Sequence, residues 1–427
     1  MNMLRKGLKL FTSSRDFTLL MGVQFLAQAG DGIVQAALAK SIAFGGQKGF
    51  DIEGAKSPDE LMRIALLIFV PYLFISPFLG VIIDRWDRRR LMFLANGLRG
   101  AVVLLIGIAG VGNVGELPLF VAFVLTLASS RVVLATKAAA LPVVLENHSL
   151  VEGNAVSQLG GAVFQLGGAG FAVVATSALE VEPVVIAGAL VYLAGAALAM
   201  MIKKAGEARS ELTFVQEVGR VFANIADGIR EVIRVPAAGA AISTYFWLRL
   251  LWSFSIVGIG FIAKDLLAGN DNVILVLTGG AGAVGAGLGF VMAARLTVRM
   301  DTPRLVLGAS FVAGASVALL GAIELKASIA LLVFFLGFGF FLAKISLDTM
   351  VQEALGDDFR GRAFSLYDIS YNLAWVVAAT LMKLWWTDSA QGALIAISGV
   401  VFLLGLFAIA QWFRRAGLLA AREAPVN

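Results

Sequence analysis

The feature that most limits this chain is a series of apolar runs about 20 residues long, separated by short turns that hold most of the charge. A run of that length spans a bilayer as an α-helix, whereas a spanning β-strand needs only about 9–11 residues. The hydrocarbon core offers no water to backbone N–H and C=O groups, so such a chain must satisfy its backbone within helices. The runs lie near 17–39, 61–83, 91–112, 118–141, 154–178 and 183–202, then near 236–263, 272–294, 303–323, 327–349, 362–386 and 390–413. They predict an all-α membrane protein with twelve transmembrane helices. Composition agrees: 59% of residues are hydrophobic and 15% charged, against about 45–50% and about 25% in soluble domains.

Arg5, Lys6, Lys9 and Arg15 precede an apolar stretch that is too long for a signal peptide and has no small-residue cleavage site, so an uncleaved first helix is expected. Basic residues then crowd alternate loops: Arg85, Arg88, Arg89 and Arg90; Lys203, Lys204 and Arg209; Arg295, Arg299 and Arg304; Arg360 and Arg362; Arg414 and Arg415. The opposite loops hold little beyond Lys48, Lys56 and Lys326. That bias predicts both termini cytoplasmic; the expected membrane is the plasma membrane, of the bacterial inner-membrane type. A polar break divides the chain into expected domains at 1–202 and 236–427, joined by a cytoplasmic linker at 203–235. Within the linker, Phe214, Val218, Val221, Ile225, Ile229 and Val232 recur at helical spacing. They predict an amphipathic helix on the inner membrane surface, with a plain linker as the alternative.

Several classes of chemistry are disfavoured. The chain has no cysteine and a single histidine, His148, so thiol nucleophiles, Cys-ligated metals and histidine catalysis have almost nothing to work with. The net charge of +5 sits in short loops and is not a nucleic-acid signature. Gly280-Ala281-Gly282-Ala283-Val284-Gly285 matches G-x-G-x-x-G, but a dinucleotide site needs a strand before that motif. Here the glycines lie inside an apolar span, where small residues let two membrane helices approach closely. No Walker A sequence is present. No enzyme activity, cofactor or metal is expected.

The turn GVIIDRWDRRR, Gly80 to Arg90, carries five charges in six positions from Asp84 to Arg89. Its pattern G-x-x-x-D-R-x-x-R-R resembles the cytoplasmic loop motif between helices 2 and 3 of the major facilitator superfamily, with Asp87 where that family usually has Gly. RVVLATKAAALPVVL in segment four and DDFRGRAFSLYD at segment eleven resemble its branch of macrolide, multidrug and enterobactin exporters. The resemblance implies two pseudo-symmetric six-helix bundles, consistent with the likeness of LPVVLENHSLVEGNAVSQL to MVQEALGDDFRGRAFSLYDI at equivalent places in the two halves. It also implies a monomeric, proton-coupled secondary transporter that exports an amphiphilic small molecule by alternating access. A lipid or lysophospholipid translocator of the same fold is the alternative, and a transport-incompetent receptor or scaffold fits less well. The charged turn is too short to be a catalytic domain. It reads as a conformational latch in which Gly80, Asp84, Arg85 and Arg89 engage the start of segment eleven near Arg360 and Arg362.

Gln24, Gln28, Asp31 and Gln35 are spaced four, three and four apart on segment one, which puts them on one helical face. A polar stripe on a membrane helix must face protein or water. It therefore lines a cavity, as the resemblance implies for the first helix, or serves as hydrogen-bonding glue between helices. Asp31 lies 14 residues past Phe17, about 21 Å into the span, and is the candidate proton carrier. Arg131 in segment four and Arg249 in segment seven have the depth to reach it. Arg131 also resembles the segment-four arginine implicated in proton coupling in related antiporters. Tyr245, Phe246 and Trp252 in segment seven suit the apolar part of an amphiphilic substrate. Ser365, Asp368 and Asn372 repeat a polar stripe in segment eleven, and Lys344 and Asp348, four apart, are expected to pair.

Overall fold

The structure is a computed structural model. It describes residues 10–12, 14–44, 66, 78, 86–145, 150–203, 205, 214–266, 276–297, 299–354 and 357–419. The chain is nearly all helix, with no strand among the described residues. It divides into two compact units, one of Met1–Lys56 and Phe74–Gly219, the other of Ser57–Leu73 and Arg220–Asn427. Among the described residues, nine helices are long and apolar enough to cross a membrane.

The first unit contains α1 (Arg15–Phe44), α2 (Arg88–Ala109), α3 (Glu116–Val144), α4 (Leu150–Ala178) and α5 (Val181–Met200). The charged turn feeds directly into α2. Asp87 Oδ1 accepts from Arg90 N–H at 2.8 Å, so the residue standing where the family usually has Gly caps an otherwise open helix start. Buried Arg88 donates from Nη1 to the carbonyl of Ala205 at 3.2 Å, tying the turn to the chain just after α5. Helix α1 packs on α3, α4 and α5, and α2 packs on α3 and α5. The α1–α4 approach is close enough that a Cβ on Gly32 would run into the backbone of Gln165 and Ala169, and one on Gly168 into the carbonyl of Ala29. The apolar core beside these contacts is built from Phe17, Leu20, Met92, Val133, Leu141 and Ala199.

The chain passes to the second unit inside α6 (Phe214–Arg234). Phe222, Ile229 and Ile233 of α6 are exposed, while Val221, Ile225 and Val232 are half-buried. The second unit continues with α7 (Pro236–Leu266), α8 (Ala281–Leu296), α9 (Thr302–Leu320), α10 (Lys326–Ala354), α11 (Asp357–Trp385) and α12 (Gln391–Arg415). Here α7 packs on α10, α11 and α12, and α9 packs on α10 and α12. This is the partner scheme of the first unit, with α7 standing for α1 and α9 for α2. Helix α8 begins after a π-helical turn, Val276–Gly280, and packs on α10. A Cβ on Gly285 or Gly289 would strike the carbonyl of Phe334 or Phe338. The glycine-rich motif is therefore a helix-packing surface, as its apolar context predicts.

Candidate functional site

The strongest candidate lies inside the first unit, around Asp31. Asp31 and Arg99 are each almost wholly buried. Arg99 Nη1 donates to Asp31 Oδ1 at 2.7 Å. The Tyr192 hydroxyl donates to the same oxygen at 2.9 Å, and the Ser130 hydroxyl donates to Oδ2 at 2.5 Å. Four helices thus meet at one carboxylate: α1 supplies Asp31, α2 Arg99, α3 Ser130 and α5 Tyr192. Arg99 also donates from Nε and Nη2 to Asn96 Oδ1, at 3.2 and 2.5 Å, and Asn96 Nδ2 donates to the carbonyl of Met92 at 3.0 Å. The guanidinium carbon lies 4.0 Å from the centroid of the Tyr192 ring, so the ring face adds a cation–π contact.

Glycines beside each charge make this convergence possible. A Cβ on Gly30 would sit 2.6 Å from the Tyr192 ring, and one on Gly100 would sit 3.2 Å from Tyr192 Cβ. Without side chains at those positions, α5 comes close enough to α1 and α2 for its tyrosine to reach the ion pair. Burying two charges is costly, and their attraction offsets that cost only when further hydrogen bonds complete the geometry. Serine, tyrosine and asparagine supply them here.

These contacts give Asp31 a partner, Arg99, that the expected pair of Arg131 and Arg249 did not include. On α3 it is Ser130 that points at the carboxylate, and the next residue is turned about 100° around the helix. Arg249 belongs to the second unit, where its guanidinium lies 3.9 Å from the Tyr371 ring centroid, 5.4 Å from that of Trp375 and 5.5 Å from that of Phe340. Sequence reasoning missed Arg99, Tyr192 and Ser130. The signal for Arg99 was present: it is a lone ionisable residue within the apolar run of α2, and such residues are functional candidates by default.

The rest of the α1 stripe forms a second network. Gln24 Nε2 donates to Gln28 Oε1 at 2.7 Å and to the carbonyl of Ser157 at 2.8 Å. The Ser157 hydroxyl donates to Gln24 Oε1 at 2.7 Å, and Lys137 Nζ donates to the Ser157 hydroxyl at 2.5 Å. Gln35 lies farther along α1 and is half-buried.

In the second unit, the buried ring of Tyr245 stacks on that of Tyr367 with centroids 3.8 Å apart. Trp252 packs on Phe340 at 4.6 Å. Phe246 lines a groove of about 510 Å³ with Ile242, Trp247, Leu373, Gly405 and Ile409. Lys344 Nζ lies 2.6 Å from Asp348 Oδ2, the pair that their spacing predicts. Of the expected latch, Arg89 is half-buried in the first turn of α2. Gly80, Asp84 and Arg85, and the side chains of Arg360, Arg362, Ser365 and Asp368, lie outside the described residues.

The sequence profile of the Major Facilitator Superfamily matches residues 20–379. The chain belongs to that superfamily. Two curated relatives, each named an uncharacterized MFS-type transporter, come from Mycobacterium tuberculosis and Mycobacterium bovis. Each is 27% identical over 412 residues, covering 92% of this chain and 90% of its own. Among solved structures, a peptide transporter POT is similar with a TM-score of 0.72 at 14% identity, covering 95% of this chain and 96% of its own. The nucleoside transporter NupG is similar with a TM-score of 0.65 at 12% identity, covering 92% of this chain and 98% of its own. At those identities the likeness concerns the fold. This facilitator is therefore an all-α, multi-pass membrane transporter with the major facilitator fold, and not an enzyme.

Proposed function

We propose that this facilitator is a proton-coupled secondary transporter of the inner membrane, with both termini cytoplasmic, that exports an amphiphilic small molecule by alternating access. The observation that carries the reading is the buried Asp31, held by Arg99, Tyr192 and Ser130 from three other helices. Arg99 Nη1 lies 2.7 Å from the carboxylate of Asp31. Because the pair joins α1 to α2, and Tyr192 joins both to α5, relative movement of these helices would make or break the contacts of the proposed proton carrier. Conformation and protonation are then linked, and each biases the other only as far as it distinguishes the two states.

In this reading Gln24, Gln28 and Gln35 of α1, with Tyr245, Phe246 and Trp252 of α7, contribute to substrate binding. Asp84, Arg85 and Arg89, set by Gly80, latch against Arg360 and Arg362 when the inner side is closed. Arg99 joins Arg131 and Arg249 among the residues assigned to proton coupling.

The test is substrate-dependent proton flux in proteoliposomes, using amphiphilic dyes as the first probes. Wild-type protein is expected to concentrate a dye against its gradient when a pH gradient is imposed, and Asp31→Asn is expected to lose that ability while keeping energy-independent exchange. Uphill transport by Asp31→Asn at the wild-type rate would overturn the coupling role. A second reading, lipid translocation, is supported by the groove of about 510 Å³ along α7, α11 and α12, whose lining is mostly apolar, with Ser243 and Ser370 among it, and suits an acyl chain. Movement of labelled lysophospholipid in vesicles, without dye transport, would favour it.

A further inference from the structure

The proton-coupling reading leaves the buried cation Lys137 unused. Lys137 on α3 is 8% exposed, and its ammonium carries three N–H donors. One reaches the Ser157 hydroxyl at 2.5 Å, and among the described residues no carboxylate comes within ion-pair distance of it. The hydrogen bonds run in one direction from there: Lys137 donates to Ser157, Ser157 to Gln24, and Gln24 to Gln28. Gln24 spends both amide hydrogens, the second on the Ser157 carbonyl. The network therefore ends in surplus donors, on the ammonium at one end and on the Gln28 amide nitrogen at the other.

The placement is not a by-product of the Asp31 pair. Gln24 and Asp31 are seven residues apart on α1, as are Ser130 and Lys137 on α3. The two helices thus carry two polar rungs about 10 Å apart along their axes. In the upper rung the cation Arg99 is matched by Asp31. In the lower rung the cation has no matching anion among the described residues. A lone ammonium taken out of water is costly, and an arriving anion would remove that cost. The site is also built to hold its shape. Ser157 is fully buried and Gln24 nearly so. A Cβ on Gly161 would displace the Gln24 and Gln28 amides, so the glycine reserves their space. Gln28 is only half-buried, which leaves that end of the network within reach of a solute.

We propose that Lys137, Ser157, Gln24 and Gln28 form an anion subsite that takes the carboxylate or phosphate head of the transported amphiphile. This assignment rests on the transporter reading and narrows its substrate to molecules with an anionic head. A lipid headgroup phosphate would offer the same chemistry, so the test separates the two sources.

The experiment uses the full chain in phosphatidylcholine nanodiscs, titrated with octanoate, octyl phosphate and octyltrimethylammonium and followed by tryptophan fluorescence and thermal unfolding. Both anions are expected to bind more tightly than the cation. Lys137→Gln should weaken the anions about tenfold or more, the loss of one charge-assisted bond, while leaving the cation unchanged. Lys137→Arg should keep the anion preference, and Lys137→Met is a second neutral variant in case one of the two folds poorly. Anion binding at wild-type strength in both neutral variants would overturn the subsite. If adding phosphatidylglycerol to the discs abolishes octanoate binding, the occupant is a lipid headgroup and the substrate assignment falls. Asp31→Asn is expected to leave the anion preference intact, so failure of the coupling reading and failure of the subsite give different results.

Discussion

The two units share a packing scheme and differ in what they bury. In the first, α1 meets α3, α4 and α5; in the second, α7 meets α10, α11 and α12. Yet at the heart of the first unit a cation is matched to the carboxylate of Asp31, while in the second the guanidinium of Arg249 lies over the rings of Tyr371, Trp375 and Phe340. Helix pairing follows from small residues and apolar faces, which both halves retain. Charge placement is free to diverge once the pairing is set.

The sharpest way to break this comparison is at the ion pair. Asp31→Asn or Arg99→Gln alone should cost about 3–5 kcal/mol, because each strands a buried partner. The double variant should recover most of that stability, since it strands no charge, but it should not recover uphill transport. Thermal unfolding and proteoliposome transport measured side by side check this. Recovery of transport in the double variant would make the pair purely structural.

A smaller effect tests the shared packing. Gly32→Val in the first unit and Gly285→Val in the second each place a side chain against a neighbouring backbone, and each should cost about 1–3 kcal/mol. Similar losses, read as thermal shifts of the purified protein, would support equivalent helix contacts. A large loss in one unit and none in the other would argue against the repeat.

Smaller again is the aromatic site. Arg249→Lys keeps the charge but loses the flat stacking surface, at about 0.5–2 kcal/mol. Dye affinity should weaken while the proton requirement persists, as a fluorescence titration beside a pH-gradient assay would report. Loss of proton dependence in Arg249→Lys would place coupling in the second unit instead. The least disruptive change is Asp87→Ala, which removes the cap of α2 and should cost about 1 kcal/mol, visible as a modest thermal shift with transport retained.

Much of this architecture was legible beforehand. Apolar run length predicts α1 and α12 alike, because the bilayer sets a helix length that composition must match. The spacing of Gln24, Gln28 and Asp31 predicts a shared face; Gln24 and Asp31 engage polar partners on neighbouring helices, and Gln28 bonds to Gln24. The spacing of Lys344 and Asp348 predicts their pairing. The partner of Asp31 was not legible. Depth along a helix offered Arg131 and Arg249, but depth says nothing about which way a neighbouring helix is turned. That Ser130 rather than Arg131 faces the carboxylate is a matter of one residue's rotation about α3. Arg99, Tyr192, Lys137 and Ser157 were visible as residues without being visible as a site.

What the amino-acid sequence determined by itself is what short-range physics decides: a helical membrane chain, its span lengths, and the residues that share a face on each helix. These follow from backbone hydrogen bonding in hydrocarbon and from the 3.6-residue period. Only the tertiary structure decided which faces meet. The rotation and approach of each helix come from contacts far apart in sequence, such as Gly30 and Gly100 admitting Tyr192 beside the Asp31–Arg99 pair. Those contacts matched one buried cation with a carboxylate and, among the described residues, set Lys137 on the next rung against a hydroxyl.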